Sequence, residues 1–252
     1  MNGYEKAEQA LVFHHWEFEQ QVRAQLGIFE RPIFPSDAEK VEWLDLSNFD
    51  FRKEDEPTLS QFSGLKSLAI CTRSERYPFL GSMPLLETLD LDCGNRGNQV
   101  DFREFRCLKR LRELYVSGGD YSNCNYVNLD ALVELKGLCL LHLHEFGAVD
   151  LRPLGGVPWL TDFYCGYANR VSHVETIGQL KKLETLCLID IEVDTLAFLD
   201  SLPDSLSLDL CGVEVRSGFD PECFLRFAQY EICEMTVGGK EANCELSGKS
   251  NA

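Results

Sequence analysis

LETLDL (Leu86–Leu91), LRELYV (Leu111–Val116), LCLLHL (Leu138–Leu143) and LETLCL (Leu183–Leu188) place apolar residues at the first, fourth and sixth positions of a six-residue motif. The same spacing starts at Val41, Leu65, Leu160 and, with a weak first position, Ser205. The copies lie 21 to 27 residues apart. A ninth, weaker copy reads ICEMTV, Ile232–Val237. Six residues are too few for a helix, and the alternation at the end of each copy is that of a strand. A second apolar set follows each motif, as in Val100, Phe102 and Phe105, or Leu129, Leu132 and Leu135. Its steps of two and then three predict a bend into a short helical or 3-10 segment. No such unit can bury its apolar face alone, but stacked units share one core, so the period predicts an α/β solenoid.

The pattern resembles the leucine-rich repeat family. The segments VDLRPLGGVPWLTDF (Val149–Phe163) and VDTLAFLDSL (Val193–Leu202) look like its roughly 22-residue subtype, found in internalin-like and phosphatase-regulatory repeat proteins. The resemblance implies a right-handed superhelix with a parallel concave sheet and short helical or 3-10 segments on the convex side. It also implies a role in protein recognition, although a fold does not fix a function. The asparagine that usually follows the strand is missing. Phe49, Arg73, Gly94, Gly119, Phe146, Ala168, Ile191 and Val213 stand in its place, so the turns must satisfy their backbone groups another way.

The solenoid is expected over residues 41–237, between an N-terminal helical cap (1–40) and a polar C-terminal tail (238–252) expected to fray. Within the cap, Ala7, Ala10, Leu11, His14, Phe18, Val22 and Leu26 step by threes and fours, which predicts an amphipathic helix from residue 4 to Gly27. The 41 acidic and 24 basic residues give a net charge of −17. This balance favours cationic partners and disfavours nucleic acid and anionic membranes, though it also serves plain solubility. Eleven cysteines are spread along the chain without a C-x-x-C pair, unlike a secreted disulfide scaffold or a zinc site. No run of apolar residues is long enough to span a membrane, and the N-terminus does not read as a signal peptide. A cytoplasmic location is expected.

Alternation along the strands sends the motif's third and fifth residues, and the one after its end, to the concave face. Three columns of nine residues result, and they include Trp43, Asp45, Asp90, Asp92, Glu113, Tyr115, His142, His144, Asp162, Tyr164 and Asp209 as candidate partner-binding residues. None of the twenty-seven positions is Lys or Arg and seven are acidic, whereas 24 basic residues in 252 would place two or three there. Like charges on neighbouring strands repel, so their retention points to a basic protein partner. The basic cluster Arg103, Arg106, Lys109, Arg110 and Arg112 falls on the convex side and reads as a solvated outer face.

His142 and His144 offer a metal two ligands beside Asp90, Asp92 or Asp162, but the third and fourth ligands lack a recognisable spacing. No metal or other cofactor is expected. No phosphate loop, nucleophile elbow or zinc-protease motif is present, and Cys187 lies too far from His142 to share a hydrogen bond. No catalytic activity is expected. Within the recognition class, the role stays open between an immunity or inhibitor protein that masks a cationic toxin or enzyme and a regulatory subunit of an enzyme. A metal protein or enzyme centred on His142 and His144 is the alternative from another class. The sequence does not set the oligomeric state.

Overall fold

Leucines repeated at the first, fourth and sixth positions of each motif have one place to go, the space between a sheet and the segments that return behind it. The structure, a computed structural model, describes residues 8–94, 99–119, 124–216, 221–241 and 246–249. Nine strands run parallel and pair in chain order: Trp43–Phe51, Ser67–Thr72, Thr88–Asp92, Glu113–Ser117, Leu140–Asp150, Asp162–Ser172, Thr185–Ile189, Ser207–Cys211 and Gln229–Cys233. Behind them stack 3-10 segments, among them Phe102–Phe105, Leu129–Glu134, Arg152–Gly156, Val174–Gln179 and Ala197–Ser201. The two layers enclose one continuous core. Leu86, Leu89, Leu111, Leu114, Leu141, Leu143, Phe163, Leu186 and Leu188 are fully buried in it. Each such side chain contributes about 1.5–3 kcal/mol by leaving water.

The positions left by the missing asparagine are largely apolar, with Phe146, Ile191 and Val213 buried. Backbone groups of the turns bond instead to the next repeat. The N–H groups of Cys93, Gly118, Asp190 and Gly212 donate to the carbonyls of Ser117, His144, Cys211 and Cys233, at 2.8–3.1 Å. In the centre, the buried Tyr126 hydroxyl donates to the carbonyls of Val116 (2.9 Å) and His144 (2.8 Å). Glu145 and Tyr167, within the two long strands, and Asp190, Gly212 and Glu234, just after the three that follow, take a positive φ between 46° and 63°.

The N-terminal helix is shorter than its periodicity predicts. It spans Trp16–Leu26 and ends on Gly27, whose φ of 65° suits glycine. Residues 8–15 are not helical, because they find partners far along the chain. Leu11 N–H donates to the Ile33 carbonyl, His14 N–H to Asp55 Oδ1 and Thr58 Oγ1 to the Val12 carbonyl. Phe18 and Val22 are buried, with Phe18 against Phe51 and Phe62. An adjoining side of the helix lies along the open edge of the first strand. There the Gln21 amide both donates to the Asp45 carbonyl and accepts from Asp45 N–H, and Gln25 donates to the Trp43 carbonyl. Two side-chain amides thus occupy hydrogen-bonding positions that a further strand would take.

At the other end, the ninth strand differs from the sequence expectation. Gln229–Cys233 pairs in register with Ser207–Cys211, so the true motif is Phe227-x-x-Tyr230-x-Ile232. Thr236 and Val237 belong to a small separate sheet with Glu192–Val193, Glu214–Val215 and Lys240–Glu241. The stretch expected to fray contributes two antiparallel strands, Lys240–Glu241 and Leu246–Lys249, the second against Gln229–Cys233. The corrected register also places Cys233 directly beside Cys211. They form a disulfide with a Cα–Cα distance of 4.7 Å, the only one among the described residues.

Candidate functional site

Strand alternation delivers the concave face as a lattice of three columns, and the register fixes which residues are neighbours. Trp43, Ser67, Thr88, Glu113, Leu140, Asp162, Thr185 and Ser207 form the first column. Asp45, Ala69, Asp90, Tyr115, His142, Tyr164, Cys187 and Asp209 form the second. The third includes Asp92, Ser117, His144 and Gly166. All eleven candidate residues therefore lie on one face of the sheet. Four other assignments need correction. Ser47 lies outside its column, because the register slips between Leu46 and Asp50 and Asp50 pairs with Cys71. Glu234, Thr236 and Gly238 are replaced by Gln229, Glu231 and Cys233, an exchange of one acid for another that adds no cation. The lattice gains one member that alternation misses. Tyr167 interrupts the Asp162–Ser172 strand in the left-handed region, with φ 52°, and its exposed ring packs edge-on against His144 at 4.7 Å.

The rings of Tyr115, His142 and Tyr164 touch across three adjacent strands, with centroids 5.7 and 5.3 Å apart, and His144 joins His142 at 5.5 Å. Burial, and then the neighbouring His144, lower the His142 pKa below its usual value and favour the neutral ring. Around this strip the carboxylates accept from neutral donors among the described residues. Glu113 accepts from Thr88 Oγ1 (3.4 Å) and Tyr115 Oη (3.5 Å), Asp162 from Thr161 Oγ1 (2.7 Å), and Asp92 from Gly94 N–H (2.8 Å). Loss of water, and then the charges of Asp92 and Asp45, push the Asp90 pKa up. The repulsion is present wherever Asp90 is ionised and fades as pH falls through its raised pKa. Replacing Asp90 with asparagine is therefore expected to stabilise the fold at neutral pH by about 0.5 kcal/mol, or a degree or two in Tm. A lower Tm for this variant in a thermal melt would contradict the repulsion.

Elsewhere many cations are matched. Arg103 pairs with Asp101, Arg106 with Asp130 and Glu134, Lys109 with Glu134, and Arg76 with Glu104. The convex basic cluster is thus interleaved with acids from the same and the next repeat. A cavity of about 890 Å3 near the first two turns is lined by Arg52, Lys53, Arg73 and Arg76 but also by Glu54, Glu56 and Glu75, and so selects neither sign of charge. No three His, Cys, Asp or Glu side chains converge to hold a metal among the described residues. Cys187 is buried on the face with its pKa pushed up to about 12, first by burial and then by Asp209, the opposite of an activated thiol.

The backbone arrangement is shared with solved proteins of one kind. Internalin C2 of Listeria monocytogenes aligns with a TM-score of 0.55 at 13% identity, over 91% of this chain and 98% of that one. The chain has the leucine-rich repeat fold. The functional domain of InlJ from Listeria monocytogenes, described as including a cysteine ladder, aligns with a TM-score of 0.61 at 16% identity, over 92% of this chain and 49% of that one. The Arabidopsis receptor kinase HAESA, solved in complex with the peptide hormone IDA and the co-receptor SERK1, gives a TM-score of 0.59 at 18% identity over 78% of this chain and 35% of that one. This leucine-rich repeat chain thus spans nearly all of the internalin C2 structure, but half or less of the other two. Its sequence matches no family model and no curated protein. No helix of the described residues is long and apolar enough to cross a membrane.

Proposed function

We propose that this leucine-rich repeat chain is a non-catalytic recognition protein that binds a basic protein through its concave face. One observation carries the reading. Among the described residues, the ion pairs lie on the convex side, in the turns and in the N-terminal segment, while Asp45, Asp90, Asp92, Glu113, Asp162 and Asp209 on the concave face have none. Repulsion of this kind weakens a fold, and a cationic partner would relieve it. The aromatic strip in the middle supplies the large, desolvatable contact area on which central hot spots depend. Binding of a peptide hormone complex by a protein of the same fold is consistent with such use of a solenoid. Cys187, buried on the face with a raised pKa, lacks the character of an activated thiol.

The test is a pull-down with the purified chain from its source cells, with bound proteins identified by mass spectrometry at low and at high salt. Basic proteins should be enriched at low salt and lost as ionic strength rises through several hundred millimolar, since exposed charges are screened beyond about 8 Å already at 0.15 M. Retention of acidic or neutral partners, indifferent to salt, would overturn the reading.

A further inference from the structure

The centre of the concave face is more specific than an acidic surface needs to be. Three adjacent strands, in register, contribute Glu113, Leu140 and Asp162 in one column and Tyr115, His142 and Tyr164 in the next. The three rings make a continuous strip about 10 Å long, given the spacing of neighbouring strands near 4.8 Å. A carboxylate flanks each end of the strip, with the half-buried Leu140 between the two as an apolar floor. We propose that this tile docks an arginine side chain of the partner, its guanidinium lying flat on the Tyr115–His142–Tyr164 strip with its edge turned to Glu113 or Asp162. The proposal rests on the concave face being the partner-binding surface.

Four features of the tile fit a guanidinium. Its planar, weakly hydrated face stacks on aromatic rings, which a compact ammonium does less well. Its edge presents paired N–H groups that match a carboxylate. Glu113 and Asp162 are already oriented by the hydroxyls of Thr88, Tyr115 and Thr161, which hold the acids in place without neutralising them. The central ring is an imidazole kept neutral by burial, so it offers a π-face and no competing charge. In the neighbouring column Gly166 is buried beside Tyr164 and its strand partner Ile189. A Cβ at Gly166 would come within 3.0 Å of the Ile189 carbonyl oxygen, so the register itself calls for glycine.

The experiment titrates the full chain with three short peptides of the sequence X-Gly-X-Gly-X, where X is arginine, lysine or citrulline, and follows the imidazole signals of His142 and His144 by NMR. The arginine peptide should shift the His142 signals saturably. The lysine peptide should bind at least threefold more weakly, and the uncharged citrulline peptide should produce no shift. Tyr164→Leu should weaken the arginine peptide about tenfold at an unchanged thermal midpoint. If that variant does not fold, Tyr115→Leu gives the same reading. Equal affinity for arginine and lysine, or full binding by a folded tyrosine variant, would overturn the arginine proposal and leave an acidic protein-binding face intact. No response of His142 to any cationic peptide, while a captured basic protein is still lost on charge reversal of Asp90 and Asp92, likewise overturns the tile alone. Loss of neither on its own variant overturns both readings.

Discussion

Replacing Asp90 and Asp92 together with lysine is expected to abolish binding of a basic partner while the chain stays folded. The two side chains project from one strand to one face, and Asp45 shares the column of Asp90 two strands away. The double change moves the local charge by four units, from two carboxylates to two ammonium groups. At an effective dielectric near 20, a single contact pair at about 4 Å is worth about 4 kcal/mol, so reversal exceeds the hundredfold range of an ordinary interface mutation. The fold should tolerate it, because neither side chain enters the core and a lysine at position 90 would stand in the same column as the carboxylate of Asp45. Surface plasmon resonance against a captured partner, alongside circular dichroism, reads both halves. Arg106→Glu, on the convex side, is the control and should leave affinity within about twofold. Equal loss from the two variants, or none from the charge reversal, would remove the concave face as the binding site.

A second large effect concerns the array itself. Phe163 is fully buried in the sixth strand, between Asp162 and Tyr164 on the opposite face. Its truncation to alanine is expected to cost about 3–5 kcal/mol. In a solenoid each repeat holds only its neighbours, so a loss of this size is concentrated at one junction. The N-terminal and C-terminal halves should then unfold in separate steps in urea, with the tyrosine fluorescence and far-UV signals no longer coincident. A single transition at the native midpoint would show that the core is more cooperative than stacked repeats allow.

Much of the concave face is legible in the sequence because the core enforces it. Leucines at fixed spacing have to point inward, so the residues between them have to point out, and all eleven candidate residues fall where that logic puts them. The same logic fails where two patterns overlap. Ile232-x-x-Met235-x-Val237 satisfies the motif, and Ile232 and Met235 are indeed buried, but the strand ends at Cys233 and Met235 reaches the core from beyond a turn at Glu234. The true motif carries Phe227 and Tyr230 instead of leucines. That slip also hid the Cys211–Cys233 contact, which is one repeat long. Tyr167 escaped because its left-handed backbone breaks the strand alternation. The N-terminal helix was overextended for a different reason. Residues 8–15 carry helical periodicity, but bonds to Ile33, Asp55 and Thr58 hold them in another shape, and long-range partners leave no local trace.

The amides of Gln21 and Gln25 at one margin and the antiparallel strand Leu246–Lys249 at the other have a consequence for size. A parallel sheet with bare margins would recruit further copies edge to edge and grow without a stopping point. The amides fill one margin, and at the other an antiparallel strand takes the place of a further parallel repeat. Nine strands at the usual spacing measure about 40 Å, which bounds how much of any guest it can cover in that direction and leaves selectivity to what is written across the tiles in between.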